Sequence, residues 1–125
     1  MPRETFSTQE IAPTVGPFAP AVRAGEFVWL SGQVAQSPTT GKLIVGDVSA
    51  QTEQIFKNLS AVLRATGKTL ADVVRVGVYL TDMSDFPYMN SVYARHFDAP
   101  YPARTTVVVS ALPFGGIVEI DVVAR

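Results

Sequence analysis

The sequence predicts an α+β domain, a single mixed β-sheet with two helices on one face. Three features of the chain point there. Ile55, Leu59, Val62 and Leu63 recur at helical spacing between two groups of short β-rich runs. A second stripe, Phe86, Asn90, Tyr93 and Phe97, follows a long alternating strand. The runs Val73 to Leu80 and Ile117 to Val123 each put an apolar set on one face and a more polar set on the other, so each calls for helices on one face.

A chain of 125 residues makes one domain, residues 1–125, with room for a real core. It is 47% hydrophobic and only 17% charged, so part of its apolar surface is expected to be covered by further copies of the chain. A net charge of −1 leaves no electrostatic footprint for nucleic acid or an anionic membrane. The absence of cysteine excludes disulfides, thiol nucleophiles and cysteine-based metal sites. The polar start from Met1 to Glu10 lacks the basic and apolar regions of a signal peptide, and no apolar run reaches the roughly 20 residues of a membrane span. A cytoplasmic protein is expected.

Thr5 to Thr8 is a short strand candidate. Ala12 to Pro20 then places three prolines and Gly16 in nine residues, which predicts a stiff surface loop, either a connector or the wall of a site. Ala21 to Glu26 reads as a strand turning at Ala24-Gly25. Phe27 to Leu30 is so apolar that burial on both faces is expected. Ser31-Gly32-Gln33 ends it, and Gly32 permits close approach of a neighbour or ligand. Past the turn at Pro38 to Lys42, Leu43 to Val45 reads as a short or edge strand.

Asp47 or Ser49 can cap the first helix, which runs to about Ala65 and stops at Gly67. Glu53, Lys57, Asn58 and Arg64 form its polar side. In Val73 to Leu80, one face carries Val74, Val76, Val78 and Leu80, the other Arg75, Gly77 and Tyr79. Ser84 can cap the second helix, with Pro87 in its first turn. Asn90 falls on the apolar stripe of that helix and needs a partner, for which a loop backbone is the ordinary choice. His96 has no acid or serine at a recognisable spacing and reads as a surface residue. Thr105 to Ser110 and Ile117 to Val123 are the last strands. In the second of these, Val118, Ile120 and Val122 alternate with Glu119, Asp121 and Val123.

The helices cover one face of the sheet. The other carries Gly77, Tyr79, Glu119 and Asp121 and calls for a partner chain; buried there, Glu119 would need a proton or a cation.

The stretch Tyr101-Pro102-Ala103-Arg104-Thr105-Thr106 feeds the apolar run Val107 to Val109. Pro102 keeps Tyr101 extended, and Arg104 stands at the mouth of the strand. Its planar guanidinium suits a carboxylate or phosphate held by two parallel hydrogen bonds, and composition alone favours an acid of the chain itself.

Pro102 to Thr106, with Ala111-Leu112-Pro113 and Val118-Glu119-Ile120, resembles the C-terminal signature of the RidA/YjgF family of reactive-intermediate (imine) deaminases. The likeness extends over Gly16-Pro17-Phe18, Ser31-Gly32-Gln33, Gly46-Asp47, Gln51-Thr52 and Val78 to Met83. It implies a chorismate-mutase-like fold, a homotrimer with sites between subunits, and hydrolysis of 2-imino acids or enamines to 2-keto acids and ammonia. In that role Arg104 would hold the substrate carboxylate and Glu119 would orient the water. Phe18, Ser31, Gly32, Asn90 and Thr106 would line the substrate. The resemblance implies no metal, covalent nucleophile or cofactor. Two departures stand out: Phe18 replaces the family's tyrosine, and Thr106 stands where several relatives have cysteine. The alternatives are a deaminase of a larger enamine acid such as 2-aminomuconate, or a non-catalytic ligand-binding or RNA-directed relative. The acidic balance and the lone His96 argue against RNA.

Overall fold

The computed structural model describes residues 2–125; Met1, which opens the polar N-terminal segment, lies outside them. Six strands form one mixed sheet in the order β1-β2-β3-β6-β4-β5. They are β1 (Glu4–Phe6), β2 (Ala21–Ala24), β3 (Phe27–Leu30), β4 (Val73–Leu80), β5 (Ala103–Val108) and β6 (Val118–Ala124). All neighbours are antiparallel except β4 and β5, which run parallel and are joined through a helix, as a parallel pair requires.

Helices α1 (Val48–Thr66) and α2 (Phe86–Tyr93) pack on the same face. Asp47 caps α1 by accepting from the Ala50 N–H at 3.0 Å, and Gly67 ends it in the left-handed conformation. Ile55, Leu59, Val62 and Leu63 are buried against Val76, Val78, Leu80, Val118, Ile120 and Val122 of the sheet. This is the core, and the predicted α+β class holds.

Several local expectations are corrected. β3 is not buried on both faces: Val28 and Leu30 face the helices, while Phe27 and Trp29 (54% exposed) lie on the uncovered side. The run is apolar because both its faces are used, one by the core and one by an open apolar surface. Val74 is exposed because β4 bulges between Val73 and Arg75, turning one valine out of the alternation. Leu43 to Val45 makes only an isolated bridge, Gln36 with Leu43, and Val45 projects into solvent. Asn58 is buried rather than part of a polar side; its amide donates to the Gln36 and Val34 carbonyls and ties the 34–36 segment to α1.

Ser84 does not cap α2. It lies in the 3₁₀ turn Met83–Asp85, whose start is capped by Asp82. Asp85 occupies the cap position of α2 with no side-chain bond, and Pro87 is in the first turn as expected. The helix ends at Tyr93, yet Phe97 beyond it is still buried. His96 is no free surface residue. Its ring stacks on Phe56 at 4.3 Å, and its Nε2 meets Glu53, which also pairs with Arg95 at 2.7 Å. The first strand is shorter than expected, and β5 and β6 start or end a residue or two away from the predicted bounds.

Candidate functional site

Register fixes where Arg104 and Glu119 can point. Arg104 pairs with Val76, and Thr106 with Val78, so both side chains share the helix-covered face. Glu119 pairs with Tyr79 and Asp121 with Gly77, which puts both acids on the open face. Within one chain the two residues named for catalysis therefore stand on opposite sides of the same sheet.

On the helix side, Arg104 Nη1 donates to Asn90 Oδ1 at 2.8 Å. The guanidinium carbon lies 4.5 Å above the Tyr93 ring and 5.5 Å from that of Phe86. Cation–π attraction of this kind contributes about 0.5–2 kcal/mol and holds the plane of the fork. Asn90 is thus bonded to the arginine rather than to a loop backbone, and no carboxylate among the described residues pairs with Arg104. A neutral amide orients the guanidinium without cancelling its charge, which leaves the rest of the fork for an anion. The surrounding cleft has a volume of about 350 Å³ and is lined by Asn90, Tyr93, Ala94, Tyr101, Pro102 and Arg104.

Two buried hydroxyls lie beside this arginine without a hydrogen-bond partner, Tyr93 OH and Thr106 Oγ1. Burial pushes the Tyr93 phenol up, and the nearby Arg104 charge opposes that shift. Sequence reasoning missed Tyr93 as a site residue. Its place on the Asn90 stripe, one turn on, was the available signal.

On the open side, Glu119 lies under Gly32. A Cβ at position 32 would come within 2.9 Å of Glu119 Cδ and 3.0 Å of Oε2, so the absent side chain is what lets the carboxylate sit there. Gln33 and Ile120 exchange backbone hydrogen bonds at 2.9 and 3.1 Å, which locks the 31–33 segment over β6. Burial raises the Glu119 carboxyl above the ordinary range, and the Asp121 charge adds to the effect. Asp121 is itself engaged, accepting from Tyr79 OH at 2.9 Å, and Gly77 clears space for that pair.

Ser31 acts on the neighbouring loop. Its Oγ donates to the Ala19 carbonyl at 2.7 Å, and its N–H to the Pro20 carbonyl at 2.9 Å. These bonds hold the proline-rich loop so that Phe18, about half exposed, stands at the rim of the Glu119 cleft. That cleft has a volume of about 340 Å³ and brings together Phe18, Ser31, Gly32 and Glu119; the other cleft brings together Arg104 and Asn90. Thr106 lines neither.

The molecule is thus a one-sheet α+β domain with an amide-held arginine on one face and a desolvated carboxylate on the other. Comparison with known proteins gives that description a family. The model described as Endoribonuclease L-PSP matches residues 8–125. A "RutC family protein" of Pyrococcus horikoshii is 42% identical over 98% of this chain and 97% of its own length. A protein of Dermatophagoides farinae named 2-iminobutanoate/2-iminopropanoate deaminase is 37% identical over 96% of this chain and 94% of its own. The crystal structure of RidA from an Antarctic Psychrobacter superposes with a TM-score of 0.94 at 43% identity, covering 98% of this chain and 99% of that one. The chain belongs to the RidA/YjgF (L-PSP) family, some of whose members are named as imine deaminases. Among the described residues, no helix is long and apolar enough to cross a membrane.

Proposed function

We propose that this protein hydrolyses reactive 2-imino acids and their enamine tautomers to 2-keto acids and ammonia, at a site assembled from two copies of the chain. The observation that carries this reading is the split itself. Among the described residues Arg104 is oriented by Asn90 with no acid to neutralise it, and Glu119 is desolvated with no cation beside it. Each half lacks what the other offers, and one sheet cannot bring its two faces together. The open face, with Phe27, Trp29 and Val107, is the apolar surface a partner copy would cover. A homotrimer, as the family resemblance implies, closes such a ring with one site per contact.

In that cleft Arg104 of one copy grips the substrate carboxylate with the arms of its fork that Asn90 leaves free. The C=N carbon is thereby fixed near Glu119 of the next copy, so that water attacks within a preassembled complex. The water oxygen bonds to C2 as its proton passes to Glu119, giving a carbinolamine. Glu119 returns that proton to the amino nitrogen. The C–N bond then breaks as the hydroxyl passes its own proton to the Glu119 carboxylate and the C=O of the keto acid forms. Glu119 gives that proton to the departing ammonia, which leaves as ammonium. A protonated imine is electrophilic enough that a positioned water and one base suffice. Burial raises the Glu119 carboxyl in each copy, which suits a group that must both accept a proton and give it back.

The test is the decay of 2-iminopropanoate generated in place by an amino-acid oxidase, with semicarbazide trapping what remains. Acceleration by the wild type, lost in Arg104→Ala and Glu119→Gln, is the expected result. A wild-type oligomer that leaves the decay of small and large imines unchanged would contradict the reading.

A further inference from the structure

We infer that the site selects imino acids with a large apolar side chain, and that Phe114 together with Phe18 sets this preference. The inference rests on the deaminase reading above and names its substrate class. Phe114 lies in the 3₁₀ turn Pro113–Gly115 and has φ 61° and ψ 15°, the only non-glycine residue with positive φ among those described. A β-carbon is disfavoured in that conformation, where glycine or asparagine is the ordinary occupant. Within its own copy the ring gains little from the core in return, since it is 57% exposed. A disfavoured conformation that presents an unpacked aromatic ring points to a role at the place where the ring lies. That place is the wall of the Glu119 cleft, which Phe18 also lines.

The rest of the cleft agrees. Ile11, Val15 and Val34 add apolar wall, and two of its polar side chains are occupied. Ser31 Oγ is bound to Ala19, and Gln36 Nε2 donates to the Gly41 carbonyl at 2.9 Å. Among the described residues of one copy no lysine or arginine lines it and its one charged group is Glu119, while the arginine that a second copy brings is taken up by the substrate's own 1-carboxylate. A substrate side chain bearing a second carboxylate would meet that acid with no counter-charge, which disfavours dicarboxylic enamines of the aminomuconate type. At about 340 Å³ the cleft exceeds the roughly 150 Å³ that admits a benzene ring, so a benzyl or branched alkyl group fits.

The experiment compares the imines formed in place from alanine and from phenylalanine, and the binding of their keto acids, pyruvate and 3-phenylpyruvate, by calorimetry. The proteins are the wild type, Phe114→Gly, which suits the backbone at that position, and Phe18→Ala. The expected result is a wild-type preference of roughly tenfold or more for the phenyl compounds, in turnover and in binding, falling several-fold in each variant. Turnover of both imines at equal rates, with a ratio that neither variant changes, would overturn the inference and leave the deaminase reading standing. Preferential 3-phenylpyruvate binding that depends on Phe114, without turnover, would do the reverse. Absence of both turnover and preference would overturn both.

Discussion

Arg104 is held by Asn90, an amide from α2 bonded to a guanidinium from β5 at 2.8 Å, fourteen residues apart in sequence. The pairing aims the arginine and leaves its charge unneutralised. Removing Asn90 should therefore weaken substrate binding without removing the charge. For Asn90→Ala a KM increase of about ten- to a hundredfold is expected, the value of one hydrogen bond to a charged group, with a smaller change in kcat. Asn90→Asp should be worse than Asn90→Ala, because it supplies the carboxylate that Arg104 now lacks. Steady-state kinetics on the two variants checks both statements.

Tyr93 supports the same arginine with its ring and leaves its buried hydroxyl unpartnered. Tyr93→Phe removes an unsatisfied group and should leave thermal stability equal or higher. Tyr93→Ala opens the core beneath Arg104 and should cost about 3–5 kcal/mol, as aromatic-to-alanine changes in cores do. Chemical denaturation separates the two.

Gly32→Ala places a methyl group against the Glu119 carboxylate. The prediction is a correctly folded protein whose activity falls at least tenfold, with kcat affected more than KM because the displaced group is the base rather than the anchor. A crystal structure of the variant should show the Glu119 side chain in a different rotamer.

Two carboxylates give pH signatures of opposite sign. Burial alone would raise Glu53, but the bonds and charges of Arg95 and His96 outweigh it and hold its carboxyl below the ordinary range. A folded-state pKa that is lowered gives stability at neutral pH that is lost as pH falls through that pKa. Glu53→Gln should therefore lower the melting temperature at pH 7 and converge with the wild type in acid. The effect should be modest, since the pair is partly exposed and screened. Glu119 is raised, so the stability linked to it is present below its unfolded pKa and lost as pH rises through the folded value. Its ionisation should also place the acid limb of kcat/KM above the ordinary glutamate range, a limb absent from any residual activity of Glu119→Gln.

Much of the fold was legible because periodicity and caps are local. The α1 stripe, Asp47, Gly67 and the alternation of β6 all appear in the sequence as they appear in the structure. What was not legible depends on partners distant in the chain. Phe27 to Leu30 reads as doubly buried because sequence cannot say that helices cover one face only. Val74 reads as core because a bulge leaves no mark in the alternation. Asn58 and His96 read as surface residues, though the 34–36 segment takes up one and Phe56 with Glu53 the other. At the site, the residue types and the open-face position of Glu119 were readable. The opposite placement of Arg104 was not, because it follows from the register of β5 on β4. Phe114 passed unnoticed since its backbone conformation, rather than its identity, sets it apart.

The central claim is that Arg104 and Glu119 act together only across two copies of the chain, and mixing tests it most directly. Arg104→Ala and Glu119→Gln oligomers are each expected to be inactive on 2-imino acids. After subunit exchange at equal amounts, verified by native mass spectrometry, random mixing restores a native pair in about a quarter of the sites. The account predicts recovery of about that fraction of wild-type activity. Exchanged oligomers no more active than their two parents would contradict it.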